Sequence, residues 1–219
     1  ELASQLPILK ELLGYLGYKI IECPGFEADD ILGTLAKRCD DTKNECVIAT
    51  GDRDSLQLIS DFTSVRIAST KMGKPEASLF TKERIIDEFG IEPKKLIEVK
   101  AIQGDSSDNI PGVAGIGPKG ALDLVQRFSN IDYIYQNIDT IDIKDGMRKK
   151  LIASKDNAFM SRELGEIKTD IPIDVDIESF SNCEKNIDKA RNLMAKLEFF
   201  SLIDKLLLQD NNGQVDVLE

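Results

Sequence analysis

The run Glu45-Cys46-Val47-Ile48-Ala49-Thr50 constrains the fold of this chain more than any other segment. It has strand length and is apolar without alternation, the pattern of a buried parallel strand. Helical patterns flank it on both sides. Leu2, Leu6, Leu9, Leu12, Leu13 and Leu16 recur at helical spacing and stop at Gly17. Pro24-Gly25 turns the chain into a second helix over residues 28–38, and a third follows Gly51-Asp52-Arg53-Asp54 as far as Leu58. Further strands are expected at residues 18–23 and 65–68. This β-α-β-α-β order predicts an α/β layered domain with a mainly parallel sheet.

From about Thr81 the pattern changes to short helices, one opened by Thr81-x-x-Arg84 and one running from Pro93 to about Ile102. A polar, glycine-rich stretch follows, then helices over residues 118–128 and 146–155. Residues 171–176 read as a strand that rejoins the sheet, and residues 185–208 as a last helix. Val217-Leu218-Glu219 has no core-like pattern.

Composition removes several kinds of chemistry. There is no histidine in the 219 residues, which excludes imidazole ligands and every Ser-His or Cys-His mechanism. Cys23, Cys39, Cys46 and Cys183 are far apart with no C-x-x-C pair, so they read as reduced thiols. No run approaches the roughly 18 apolar residues of a membrane span, so no membrane partner is expected. The net charge of −11 opposes binding to a polyanion unless many of the acids hold cations.

The acids are clustered. Glu27-Ala28-Asp29-Asp30 opens a helix, where acids are favoured against the macrodipole, yet three in four residues exceed what capping requires. Gly51-Asp52-Arg53-Asp54 follows the strongest strand, at the sheet edge where α/β proteins bind ligands. A helix cap explains one of its two acids. Gly104-Asp105-Ser106-Ser107-Asp108-Asn109 ends the Pro93 helix and suits a polar turn equally well. Converging carboxylates repel, by about 4 kcal/mol for a pair 4 Å apart at an effective dielectric of 20, and are held together by cations. Oxygen ligands without His or Cys favour Mg²⁺, Mn²⁺ or Ca²⁺, and two such ions form a clamp for phosphodiester hydrolysis.

Pro111-Gly112-Val113-Ala114-Gly115-Ile116-Gly117-Pro118-Lys119-Gly120 joins two helices. Its glycines permit close approach of a phosphate, Pro118 opens a helix whose free N–H groups attract anions, and Lys119 adds charge. A plain tight turn would need only one glycine. The pattern resembles the helix-hairpin-helix motif, which grips the DNA backbone without reading sequence.

E-A-D-D, T-G-D-R-D and G-D-S-S-D-N-I-P-G-V-A-G-I-G-P-K, in this order, resemble the 5′-nuclease domain of bacterial DNA polymerase I, within the flap-endonuclease group. The resemblance runs from Glu1 to about Leu208. It implies a PIN-like core over residues 1–92, a helix-hairpin-helix arm over 93–160, and a return strand and helix over 161–219. It implies a monomeric 5′→3′ exonuclease and flap endonuclease that removes primers and flaps in replication and repair. The substrates are 5′ flaps, nicked or gapped duplexes and RNA primers, and the setting is the bacterial cytoplasm at the nucleoid. Glu27, Asp29 and Asp30 correspond to ligands of one Mg²⁺ or Mn²⁺, and Asp52, Asp54, Asp105 and Asp108 to those of a second. Gly112, Gly115, Gly117 and Lys119 correspond to the DNA-gripping hairpin, where the family also binds K⁺. Members place Thr after that Lys, whereas Gly120 stands here. Members also begin with a strand bearing a further metal-ligand Asp, carry another Asp farther on, and have a basic arch. None of these is present, and the chain starts at Glu1-Leu2-Ala3. The expectation is therefore an N-terminally truncated chain, and the resemblance leaves open whether a polymerase domain belongs to the full-length protein. Two other readings stay open: a catalytically impaired DNA-structure-binding fragment, and a phosphatase using Asp52 as nucleophile.

Overall fold

The computed structural model describes residues 2–71, 73–182 and 184–207. Cys183, the expected helix end at Leu208 and the tail at 217–219 lie outside the described residues. The chain divides into two compact units. One is Cys23–Ile173; the other joins the two ends of the chain, up to Glu22 and from Asp174.

In the larger unit, β1 (Cys46–Thr50), β2 (Thr63–Lys71) and β3 (Lys74–Phe80) form a sheet in that order. β1 runs parallel to β2 with Ile48 opposite Val65, and β3 returns antiparallel with Phe80 opposite Val65. The expected mainly parallel sheet is thus a small mixed one. β3 escaped detection because it carries Pro75 and leaves Lys74, Pro75, Glu76 and Ala77 exposed, so it shows no apolar face. β1 is also less buried than its composition suggests. Ile48 is 4% exposed, but Val47 is 61% exposed on the other face. A continuous apolar run does not distinguish one covered face from two.

The covered face packs Ile48, Val65, Ile67 and Phe80 against Ala36, Leu56, Ile59 and Ile85. These come from α2 (Ala28–Thr42), a 3₁₀ turn (Arg53–Leu58) with Ile59 just past its end, and α3 (Lys82–Phe89), the last capped by Thr81 and closed by Gly90 at φ +67°. α2 outruns its expected end at residue 38 and stops at Lys43 in the left-handed conformation.

Two expected strands are absent from the sheet. Residues 18–23 pair with no strand among the described residues, and Tyr18 is 62% exposed. Residues 166–173 run extended along α2 instead. The Ile171 N–H donates to Thr34 Oγ1 at 3.2 Å, and the Arg38 guanidinium donates to the Ile173 carbonyl at 2.7 Å. Gly33 permits this approach, since a Cβ there would lie 2.8 Å from both Ile167 and the Lys168 carbonyl. Ile171 and Ile173 are buried as alternation demands, but against a helix.

The rest of the larger unit is helical: α4 (Leu96–Gln103) after a 3₁₀ turn at Pro93–Lys95, α5 (Pro118–Phe128), α6 (Ile131–Gln136), α7 (Asp145–Ala153) and α8 (Lys155–Gly165). α6 and α8 were not anticipated. Ile102, Leu124, Ile131, Ile134 and Leu151 form the centre of this core. α4 lies inside it, with every residue from Ile97 to Ile102 buried, Glu98 and Lys100 included.

In the smaller unit, Leu12 of α1 (Leu2–Tyr15) packs on Ala190 and Met194 of α9 (Ile187–Lys196). The expected single terminal helix is broken at Glu198, φ +60°, before α10 (Phe200–Leu207). No helix among the described residues is long and apolar enough to cross a membrane.

Candidate metal centre

The three acidic segments meet on one side of the larger unit. Glu27, Asp29, Asp30, Asp52, Asp54, Asp108 and Lys100 line a cavity of about 370 Å³. Oxygens of Asp54, Asp105 and Asp108 lie within 4.8 Å of one another. Asp105 also lines a neighbouring cavity of about 410 Å³, shared with Asp54, Lys100, Arg53, Pro118 and Lys119.

Each segment is shaped locally. Glu27 precedes α2, and its N–H donates to Asp30 Oδ2 at 3.2 Å. Asp30 Oδ1 accepts from the Lys168 N–H at 2.9 Å, so Asp30 also anchors the extended segment. Burial, followed by the charges of Asp52, Asp54, Glu27 and Asp30, raises the Asp29 pKa, as expected where the clusters converge. After β1, Asp52 Oδ1 accepts from the Asp54 N–H at 2.9 Å and caps the 3₁₀ turn, which leaves the Asp54 carboxylate for the site. The third segment is a tight reversal. Asp105 and Ile110 exchange backbone hydrogen bonds of 2.9 and 2.7 Å, and Asn109 takes φ +58°. Asp105 Oδ1 accepts from the Ser107 N–H at 2.9 Å and from the Ser107 hydroxyl. Hydrogen bonding by Ser107 is the main reason its pKa is held down at about 2.

Sequence reasoning missed Lys100. Its ammonium is bonded to Asp54 and lies 3.2 Å from oxygens of both Asp105 and Asp108. The residue is 6% exposed. Burial of Lys100 works to lower its pKa, but the hydrogen bonds and charge of Asp54, with Asp105 and Asp108, outweigh that and raise it. Burial likewise raises Asp54 despite the Lys100 partner. The available signal was a lysine inside the otherwise apolar stretch Val99-Lys100-Ala101-Ile102, one turn before Asp105. A buried charge must be paired.

The donor set suits a hard divalent cation. It consists of carboxylate oxygens alone, and one cation, the ammonium, already sits where three of them converge.

The hairpin borders the second cavity. Val113 and Ile116 are buried beneath it, while Gly115, Gly117, Pro118 and Lys119 are exposed. Gly115 takes φ +78°, and its carbonyl accepts from the Lys150 ammonium at 2.8 Å. Pro118 is the first residue of α5, with Gly117 before it. Gly112 departs from expectation. It is buried, and its N–H donates to Ser161 Oγ at 2.9 Å.

Residues 1–90 match the family model described as 5′-3′ exonuclease, N-terminal resolvase-like domain. Residues 91–188 match the one described as 5′-3′ exonuclease, C-terminal SAM fold. DNA polymerase I of Caldicellulosiruptor bescii is 41% identical over 210 residues, which are 96% of this chain and 24% of that protein. DNA polymerase I of Bacillus subtilis is 36% identical, over 94% of this chain and 23% of its own length. The chain thus spans about a quarter of the curated relatives it matches. Among solved structures, T5 5′-exonuclease with bound divalent metal ions (zinc) superposes with a TM-score of 0.55 at 25% identity, covering 68% of this chain and 53% of that one. The catalytic core of Rad2 in complex with DNA superposes with a TM-score of 0.60, over 94% of this chain and 67% of its own. At 18% identity that likeness concerns the fold.

Proposed function

Because this chain belongs to the 5′-3′ exonuclease family, we propose that it is a Mg²⁺- or Mn²⁺-dependent 5′→3′ exonuclease and flap endonuclease acting on DNA. The observation that carries this reading is the convergence of carboxylates from three separate segments beside an exposed glycine hairpin. In this reading Asp54, Asp105 and Asp108 hold one divalent ion, with Asp52 fixing the turn that presents Asp54. Glu27, Asp29 and Asp30 hold the other. When bound, such a pair supplies Lewis-acid stabilisation of charge on the phosphodiester oxygens. The carboxylates position the ions and are not nucleophiles.

The arm's task is to dock the duplex. Gly115 and Gly117 let a phosphate approach the backbone, and the N–H groups at the start of α5 with Lys119 attract it. A K⁺ ion at the hairpin would compete with the Lys150 ammonium for the Gly115 carbonyl. Arg53 and Lys119 border the cavity that also contains Asp54 and Asp105, and so supply cations along a path from hairpin to carboxylates. The substrates proposed are 5′ flaps, nicked or gapped duplexes and RNA primers, with a polymerase domain in the full-length protein.

Polarity of attack tests this reading. Two duplexes, one with a free 5′ flap and one with a free 3′ flap, are incubated with the chain and Mg²⁺. Release from the 5′ flap alone is expected. Release from the 3′ flap, or from neither, overturns the proposal for this chain.

A further inference from the structure

Lys100 meets more negative charge than its own charge can balance. One carboxylate would neutralise a buried ammonium, and neutral oxygens could take its remaining N–H donors, yet all three partners here are carboxylates: Asp54 from the turn after β1, and Asp105 and Asp108 from the reversal after α4. Its position is fixed by the middle of a buried helix, and its side chain is 7% exposed, against 28%, 27% and 54% for the three carboxylates. The acids thus face the cavity while the ammonium neutralises them from behind.

We propose that the Lys100 ammonium is a tethered counter-ion of the Asp54–Asp105–Asp108 cluster, which a divalent cation displaces on binding. Metal uptake at these carboxylates is then an exchange of one cation for another. The inference rests on the divalent reading of the cluster. The same oxygens serve both cations, and like charges sharing one set of ligands repel. An ammonium donates along fixed N–H directions, whereas a divalent ion gathers six or more oxygens, so the ion wins the carboxylates once its concentration suffices.

The surroundings give the side chain somewhere to go. Lys100 lines both cavities, the one ringed by acids and the one bordered by Arg53 and Lys119. Gly165, at the end of α8, leaves space beside the stem; a Cβ there would lie 3.2 Å from Lys100 Cδ and 3.5 Å from Cε. Withdrawal of the ammonium into the second cavity adds it to the two cations already on the hairpin side. Loss of a cation from the carboxylates is thereby coupled to gain of one along the proposed phosphate path. In the absence of metal, the same lysine keeps converging acids from opening the site.

The test is calorimetric titration of Mn²⁺ into the metal-stripped protein, comparing wild type with Lys100→Met and Lys100→Arg. Lys100→Met is expected to bind Mn²⁺ at least tenfold more tightly and to melt at a lower temperature without metal, the deficit closing as Mn²⁺ is added. Lys100→Arg, whose planar fork grips carboxylates more rigidly, is expected to bind no more tightly than wild type. Equal or weaker binding by Lys100→Met, with wild-type binding lost in Asp105→Asn, overturns the tethered counter-ion and leaves the divalent site standing. No binding by any of the proteins removes the site and the proposal together. Should Lys100→Met fail to fold without metal, wild type carrying ¹³C-dimethylated lysines answers the question. The Lys100 resonance is expected to move on addition of Ca²⁺, and a resonance that stays in place overturns the exchange.

Discussion

Asp52 and Asp54 stand two residues apart and do different things, which shows how far residue type alone can be read. Asp52 caps a turn through the Asp54 N–H; Asp54 meets Lys100. Asp52→Asn retains the cap and is expected to change stability by less than about 0.5 kcal/mol, whereas Asp52→Ala costs about 1 kcal/mol, both measured by urea unfolding without metal. Tyr135 makes a separate case. It is buried, its hydroxyl donates to the Leu151 carbonyl at 3.1 Å, and burial raises its pKa from 10.0 to about 12. The unfolded chain releases this proton at lower pH than the folded one. The stability contributed is therefore complete below about pH 10 and falls as pH rises through about 12. Tyr135→Phe is expected to cost about 1 kcal/mol at neutral pH and to flatten the alkaline decline, seen as thermal midpoints across pH 9–12. The acids of the candidate site stood out as a set: the first two clusters exceeded their local structural need, and the third, which suits a polar turn equally well, gained weight only beside them. Lys100 was not legible, because it falls inside the helix read from Pro93 to about Ile102 and its partners lie outside that helix.

Elements were legible where a local rule fixed both their identity and their partner. α3 and α5 begin and end as their caps dictate, with Thr81 and Gly90 bounding one and Pro118 opening the other. Residues 171–173 show the limit. Their alternation places Ile171 and Ile173 inward, but it cannot say that α2 rather than a strand receives them. β3 was hidden for the opposite reason, since an exposed edge strand has no apolar face to detect. The hairpin was legible as a unit although Gly112 was misplaced within it. Gly112 takes φ +60°, and a Cβ there would lie 2.3 Å from the Gly104 nitrogen. Gly112→Ala is expected to destabilise the chain by about 3 kcal/mol or more and to disturb Asp105 next to Gly104, as measured by urea unfolding and by Mn²⁺ titration. Lys119→Ala acts without changing the fold. It is expected to weaken duplex binding similarly for every sequence and to lower the slope of log affinity against log salt by about 1.

At the scale of the molecule, a net charge of −11 and a DNA-binding reading are reconciled by where the acids lie. Those of the candidate centre gather on one side of the larger unit, and bound divalent ions would reverse the local sign there. If such ions bind only the folded chain, Mg²⁺ at about 100 times its dissociation constant is expected to add about 2.7 kcal/mol of stability, seen as a raised melting midpoint that EDTA reverses. The most direct test of the central claim is single-turnover cleavage of an end-labelled 5′-flap DNA, in Mg²⁺ and in EDTA, with Asp105→Asn and Asp108→Asn beside the wild-type chain. Cleavage that requires Mg²⁺ and slows by roughly 100-fold or more in both variants is the expected result. Cleavage that persists in EDTA, or that both variants sustain at the wild-type rate, would contradict it.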